Sequence, residues 1–250
     1  MKKMLFMLTV LATLFSLISC VDGAINLQKL DFYPASNNSY VVSAGDAKYL
    51  DEIVIPKTYF GMPVVEIEKN GFKDCSRLES ITIPNGITSI GSMAFEGCRK
   101  LKNVVIPNSV TSIGGYAFSG CISLESIVIP DGVTHIKGCV FEDCKSLESV
   151  VIPDSVESIE YNAFYLCESL KSIVIPDGVT SISARAFYGC NSLESIVIPK
   201  SVTSIGEQAF YGNASFISIK YRGTEEEWNS IEKDASWIYK YDITYNYDGE

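Results

Sequence analysis

Residues 118–136 read Phe118-Ser-Gly-Cys121-Ile-Ser-Leu124-Glu-Ser-Ile127-Val-Ile129-Pro130-Asp-Gly-Val133-Thr-His-Ile136, and closely similar strings recur every 23 residues from Phe72 to Ile205. Two columns make the period visible: Phe72, Phe95, Phe118, Phe141, Phe164, Phe187 and Phe210, and Pro84, Pro107, Pro130, Pro153, Pro176 and Pro199. A fixed period of this length is typical of a repeat protein, in which one structural unit dictates the architecture of the whole array.

The spacing of apolar residues changes within each unit, and the change indicates the local structure. Ile127-Val128-Ile129 alternates as a strand does, whereas Cys121 and Leu124 are spaced as in one helical or 3₁₀ turn. Pro130 has no backbone N–H, so the strand ends there. Residues 133–136 predict a second short strand on another face of the unit.

A unit of this size cannot bury its own apolar residues, so successive units must stack, with parallel strands about 4.8 Å apart. The predicted fold is an α/β repeat: a right-handed leucine-rich repeat solenoid with short parallel strands, a 23-residue repeat and a cap at each end. Three apolar columns should form its core: Leu78, Leu101, Leu124, Leu147, Leu170 and Leu193; Ile81, Val104, Ile127, Val150, Ile173 and Ile196; and Ile90, Ile113, Ile136, Ile159, Ile182 and Ile205.

Repeats of the form Ala-Phe-x-x-Cys-x-x-Leu-x-x-Ile-x-Ile-Pro-x-x-Val-x-x-Ile resemble the BspA-type, or treponemal, leucine-rich repeats of bacterial surface proteins. The resemblance covers roughly residues 50–247. It implies adhesion or contact with a host surface, by family analogy. The general leucine-rich pattern has Asn or Cys five residues after the central strand residue. Here that place after Ile127 is Gly132, so the usual asparagine ladder is not expected.

The first twenty residues predict export. Lys2 and Lys3 precede an apolar run that ends at Cys20, which indicates a signal peptide over residues 1–19 rather than a membrane span. Leu17-Ile18-Ser19-Cys20 resembles a bacterial lipobox, and lipidation of Cys20 would tether the chain to a membrane. The alternative is an ordinary signal peptide with a chance cysteine. The expected location is the bacterial cell envelope, as an outer-membrane or cell-surface lipoprotein.

Residues 20–63 predict a linker to the lipid anchor and an N-terminal cap, ahead of a repeat array over residues 64–220. Strand-like composition at 40–42, 53–55 and 64–67 supports the cap, which would cover the open edge of the first coil. Pro56 and Pro84 are 28 residues apart, and the five extra residues fall in Lys57–Pro63, which predicts a protruding turn.

Residues 221–250 predict a C-terminal cap. Thr224 and Glu227 have capping-box spacing for a short helix, and Ile243–Tyr247 alternates as a closing strand. Four aromatic residues could seal the end of the core: Trp228, Trp237, Tyr239 and Tyr241. A carbohydrate site is the alternative use of such a cluster.

A column of six cysteines is the most conspicuous reactive feature: Cys75, Cys98, Cys121, Cys144, Cys167 and Cys190. A metal site needs ligands that converge on one point, and this column spreads one thiol per coil. Disulfides between coils are possible in an exported protein. Buried free thiols, each bonded to a nearby carbonyl, are the favoured interpretation. Cys139 lies outside the column at a variable position, which predicts exposure.

No catalytic, cofactor or metal motif interrupts the repeat, so we expect no enzymatic activity. His135 occupies the place that serine holds in five other coils. The chain carries a net charge of −10, or about −12 once Lys2 and Lys3 leave with the signal peptide, which disfavours nucleic acid as a partner.

The outward positions of the repeat strands form two rows, which predict a recognition surface. One row is Ser80, Asn103, Ser126, Ser149, Ser172 and Ser195, and the other is Thr82, Val105, Val128, Val151, Val174 and Val197. The proposed contacts are Ser126, Val128, Ser149, Val151, Ser172 and Val174, for a protein or glycan ligand with a neutral or basic surface. Valine is also common in strands because of its β propensity, so a passive surface scaffold without a specific ligand is the alternative.

Overall fold

The computed structural model describes residues 28–215, 218–234 and 242–248. Its backbone winds into a parallel-strand solenoid of about nine turns with a spacing of about 23 residues per turn. Register follows the repeat, since Ile127 pairs with Val150 and Ile136 pairs with Ile159 in the next coil. The predicted leucine-rich repeat solenoid is therefore confirmed.

Each coil contributes one strand to a sheet that we call the long-strand sheet. Its strands are β3 (Glu52–Val54), β6 (Ser80–Thr82), β8 (Asn103–Val105), β10 (Ser126–Val128), β12 (Ser149–Val151), β14 (Ser172–Val174), β16 (Ser195–Ile198), β18 (Ser218–Tyr221) and β20 (Asp242–Thr244). They form two blocks, and the boundary lies between β12 and β14.

After the proline turn, each coil contributes a second strand to the short-strand sheet. Its strands are β1 (Asp31–Ala35), β2 (Ser39–Ser43), β5 (Met62–Ile67), β7 (Ser89–Ile90), β9 (Ser112–Ile113), β11 (His135–Ile136), β13 (Ser158–Ile159), β15 (Ser181–Ile182), β17 (Ser204–Ile205) and β19 (Glu232–Lys233). A boundary between β9 and β11 divides this sheet as well.

The third side of each coil is a run of turns that brings phenylalanine and cysteine into the core. The seven phenylalanine rings of the column stack from coil to coil, with centroids 5.2–5.8 Å apart and planes within 5–19°. Backbone bonds set this spacing, as where the Phe118 N–H donates to the Val140 carbonyl at 2.9 Å. The leucine column is fully buried.

Each of these turns contains two residues with left-handed backbone angles, four positions apart. The first set has φ of 54–60° and comprises Asn70, Met93, Tyr116, Cys139, Asn162, Arg185 and Gln208. The second set has φ of 56–76° and comprises Asp74, Gly97, Gly120, Asp143, Leu166, Gly189 and Gly212. Glycine, asparagine and aspartate tolerate this conformation, and the other side chains adopt it under the constraint of the stacked ladder.

The N-terminal cap extends both sheets of the array. The strand β3 pairs with β6, and β5 pairs with β7. The 3₁₀ helix Gly45–Tyr49 buries Ala47. The predicted protruding turn is a hairpin in which β4 (Thr58–Tyr59) pairs antiparallel with the start of β5.

The C-terminal cap contains the helix α1 (Glu225–Ser230). Its predicted capping box is present: Thr224 Oγ1 accepts from the Glu227 N–H at 3.2 Å, and the Glu227 carboxylate accepts from the Thr224 N–H at 2.8 Å. Trp228 is buried against Tyr221, with ring centroids 5.2 Å apart. The closing strand is confirmed as β20, which pairs parallel with β18. Trp237, Tyr239 and Tyr241 lie outside the described residues.

Candidate binding face

The exposed face of the long-strand sheet presents the predicted row of valines. Val105, Val128, Val151 and Val174 are 80%, 60%, 57% and 53% exposed. Val128 pairs directly with Val151 across β10 and β12. The three proposed valine contacts thus form one apolar row across adjacent coils.

Val197 was expected to extend this row, and that expectation is wrong. Its side chain is only 9% exposed. The reason is its neighbour on the C-terminal side, where the repeat ends: Val197 pairs with Lys220, whose ammonium lies 5.0 Å from the centre of the Tyr247 ring. The C-terminal cap therefore marks the end of the exposed row at Val174.

The serines of the proposed contacts form a second row beside the valines. Ser126 pairs with Ser149, and Ser172 pairs with Ser195 in the following coil. Ser126, Ser149 and Ser172 are exposed, whereas Ser195 is half-buried. The face therefore offers methyl groups and hydroxyl groups in parallel rows, which suits both apolar and hydrogen-bonded contacts.

The boundary between β12 and β14 crosses the middle of this face. The Lys171 N–H lies 3.5 Å from the Glu148 carbonyl, whereas the equivalent bond from Glu194 to Lys171 is 2.9 Å. Val150 and Ile152 on the β12 side are only half-buried, although the repeat predicts core positions. The wider step between coils explains the partial exposure of these two side chains.

Charged side chains border the serine row. Glu125 and Glu194 are exposed, and Glu148 forms an ion pair with Lys171 at 2.7 Å. This hydrogen bond from Lys171 to the Glu148 carboxylate raises the pKa of the lysine. Beyond the valine row, Asp131, Asp154 and Asp177 are exposed. Carboxylates therefore flank both sides of the apolar row and favour a neutral or basic partner.

The cysteine column lies inside the solenoid, away from this face. All six of its thiols are unbridged and buried. The five from Cys98 to Cys190 each donate to the carbonyl of a phenylalanine 26 positions earlier in the chain, at Sγ–O distances of 3.1–3.2 Å. The prediction of buried thiols bonded to carbonyls is confirmed, because the coil places each thiol next to the preceding turn.

Cys139 was expected to be exposed, and the structure shows that it is buried, with 1% of its surface accessible. Its thiol lies within hydrogen-bonding reach of the Tyr116 side chain, and burial raises its pKa to about 11. The Tyr161 ring lies so close to Gly138 that a Cβ there would come within 2.6 Å of it. Gly138 could have indicated the burial of Cys139 from the sequence, because a residue without a side chain leaves room for the Tyr161 ring.

The histidine occupies an ordinary position of the repeat. The Nδ1 atom of His135 lies 2.7 Å from Thr134 Oγ1, and the residue starts β11 as an ordinary repeat position. Across the described ranges, no three histidine, cysteine or acidic side chains converge to hold a metal ion. Cys20, the proposed lipidation site, lies outside the described residues.

A sequence model of the BspA type leucine-rich repeat region matches residues 65–193 and 138–235, with six copies of the repeat. The chain belongs to this family. Together the two matches span more than half of the chain, from the first short strands of the array to the helix of the C-terminal cap. No curated protein matches the sequence.

Solved structures of bacterial leucine-rich repeat proteins are similar to this solenoid. The leucine-rich repeat protein of T. pallidum is 30% identical, with a TM-score of 0.69 over 74% of this chain and 87% of that one. A leucine-rich repeat protein from Bacteroides ovatus is 25% identical, with a TM-score of 0.61 over 87% and 70%. One from Eubacterium ventriosum is 27% identical, with a TM-score of 0.61 over 87% and 54%.

Proposed function

We propose that this BspA-type protein is an exported, lipid-anchored binding protein of the bacterial cell envelope, which recognises a protein or a glycan and mediates adhesion. The observation that carries the proposal is the apolar row of Val128, Val151 and Val174, exposed on the long-strand sheet and bordered by carboxylates. Contiguous exposed apolar patches often mark the sites at which proteins contact their partners. Repeat scaffolds of this family are often used for binding, which supports the same proposal.

The proposed ligand would contact small hydroxyls and methyls at the centre of the face. Ser126, Ser149 and Ser172 offer hydroxyl donors and acceptors, and the exposed valines offer apolar area that a partner can dehydrate. Because Glu125, Glu194 and Asp154 border the two rows, a basic or neutral protein surface or glycan fits better than an acidic one. A host surface is one source of such a ligand.

Replacing Val128 and Val151 together by lysine is expected to weaken binding by about tenfold or more, because two charges enter the centre of an apolar contact. The partner is first captured with the mature protein from envelope extracts, host matrix proteins and glycan arrays. Binding of each variant to that partner is then measured by calorimetry, and circular dichroism and melting confirm its fold.

The matched control places the same two charges on the short-strand side, as Thr111→Lys with Thr134→Lys, since both threonines are exposed. This control should bind like the parent protein. Equal affinity of the valine variant and the control would move the site away from the long-strand face. Failure of every capture would favour a passive scaffold.

Lipidation of Cys20 is expected to appear in the mature protein as an N-terminal cysteine that carries a diacylglycerol. The lipobox-like Leu17-Ile18-Ser19-Cys20 motivates this expectation. Mass spectrometry of the N-terminal peptide from cells measures it directly, and Cys20→Ala is the matched variant that should lose the modification. An unmodified Cys20, or cleavage at another bond, contradicts the proposed anchor.

A further inference from the structure

The hairpin of the N-terminal cap ends in an exposed phenylalanine in an unusual backbone conformation. Phe60 is 58% exposed with φ of 48°, and Gly61 follows with φ of 76°. Two left-handed residues at the centre of a two-residue hairpin match a type I′ turn, for which Asn-Gly is the favoured pair. A bulky aromatic residue suits neither this backbone nor water, so its presence at the tip points to a contact outside the fold.

The hairpin is held in place by an aromatic cluster at its base. The Tyr59 ring stacks on Phe32 with centroids 4.0 Å apart, and it meets Tyr40 edge-on at 5.0 Å. Phe60 packs edge-on against Tyr59 at 4.5 Å. Phe32 belongs to β1, so the first strand of the described chain packs against the base of the hairpin.

The tip is apolar on a protein that is otherwise acidic. No charged residue occurs from Thr58 to Val65, and exposed Lys57 is the nearest charged residue before them. A narrow apolar tip beside a lysine is the shape and charge that enter the interface of a lipid bilayer, where aromatic rings are favoured. The acidic array, by contrast, is repelled by anionic lipid headgroups.

The covalent tether brings this tip within reach of a membrane. Gln28 lies eight residues after Cys20, and eight residues span at most about 29 Å. The solenoid of about nine turns extends about 43 Å along its axis, so its C-terminal end can stand much farther from the anchor. Of the two ends, the N-terminal cap is therefore the one held near the bilayer.

We infer that the Phe60 hairpin tip inserts into the interface of the membrane that holds the Cys20 anchor. The inference rests on the proposed lipidation. The contact would hold the N-terminal cap at the lipid surface, in addition to the covalent tether.

The test uses the acylated mature protein in vesicles of phosphatidylethanolamine and phosphatidylglycerol, with and without lipids brominated along the acyl chain. Phe60→Trp places a fluorophore at the tip, and Tyr211→Trp places a matched one on an exposed position far along the array. Difference spectra against the parent protein isolate each new tryptophan. We expect Trp emission from position 60 to shift to shorter wavelength and lose intensity to brominated lipid, and emission from position 211 to do neither.

Flotation of the vesicles distinguishes a failure of the lipid anchor from a failure of tip insertion. Protein that floats without quenching at position 60 overturns the insertion and leaves the anchor intact. Quenching at both positions would mean that the array also lies on the lipid, and it would overturn an insertion confined to the hairpin tip. Protein that does not float refutes the anchor and the insertion together. Ligand binding by the long-strand face is measured on unacylated protein, so its result does not depend on either.

A second variant tests the argument from backbone conformation. Phe60→Asn installs the residue that the turn prefers, so the melting temperature of the unacylated protein should rise. A fall would mean that Phe60 serves the stability of the cap, which would overturn the inference.

Discussion

Replacing Phe118 by alanine lowers the expected free energy of unfolding by about 3–5 kcal/mol. The ring is fully buried and stacks between Phe95 and Phe141 at 5.2 and 5.8 Å. The cavity cannot close, because the backbone bond from Phe118 to Val140 and its counterparts in the neighbouring coils fix the spacing between turns. Urea unfolding followed by circular dichroism measures the loss.

The matched control is Ser126→Ala on the exposed face of β10, which should change the free energy of unfolding by no more than about 0.5 kcal/mol. Phe118 and Ser126 lie in the same unit, so their difference isolates burial from position along the array. Similar losses for the two variants would contradict the assignment of inward and outward columns.

The core could be predicted from the sequence because stacked repeats translate a single unit along one axis. Once the Phe, Leu and Ile columns share a 23-residue period, placing one member inside places them all. The same argument placed the cysteine column beside a carbonyl. The candidate face followed with it, since outward positions in a strand alternate with inward ones.

Local departures from the regular stacking of repeats could not be predicted in this way. Val197 looks like Val174 in sequence, and it is buried because its neighbour is the C-terminal cap rather than another repeat. Cys139 is buried because of the Tyr116 and Tyr161 side chains, which other coils lack. The boundary between β12 and β14 separates two nearly identical strings, so no residue there marks it.

The left-handed backbone positions in the turns are only weakly indicated by residue type. Asn70 and Asn162 suggest such a conformation, but Met93 and Arg185 occupy equivalent places in other coils. In an array the neighbouring turns impose the backbone angles, so side-chain preference is overridden at individual coils. Only the column as a whole carries the pattern.

Alkaline pH should destabilise this protein steeply, because its buried thiols resist ionisation in the folded state. Burial raises the pKa of Cys121, Cys144, Cys167 and Cys190, the last to about 12. The Cys98 pKa is also raised, chiefly by its hydrogen bond with Cys75 and by burial, whereas the same hydrogen bond lowers the pKa of Cys75, which is therefore not counted with the others. In the unfolded chain each thiol returns to its ordinary value of 9.0.

The sign follows from the proton count. Well below pH 9 the counted thiols are protonated in both the folded and the unfolded chain, so their contribution to the free energy of unfolding is fully present. Above pH 9 the unfolded chain releases protons that the folded chain keeps, so the free energy of unfolding falls until the folded-state pKa values are reached. Each thiol contributes about 1.4 kcal/mol per pH unit once ionised in the unfolded chain, so five thiols lower stability by about 7 kcal/mol between pH 7 and pH 10.

Urea unfolding at intervals from pH 7 to pH 10.5, with reductant present throughout, measures this dependence. Cys121→Ala is the matched variant, since the Phe95 carbonyl keeps the Cys98 N–H as a donor at 3.1 Å. This variant should be less stable at pH 7, yet its loss of stability above pH 9 should be less steep by about 1.4 kcal/mol per pH unit, the share of one thiol. At pH 8 the native protein should also leave all its described thiols, Cys139 included, unreactive toward a disulfide reagent until denaturant is added. A stability that stays level from pH 9 to pH 10.5, or rapid reaction of several thiols in the native state, would contradict the buried and protonated column.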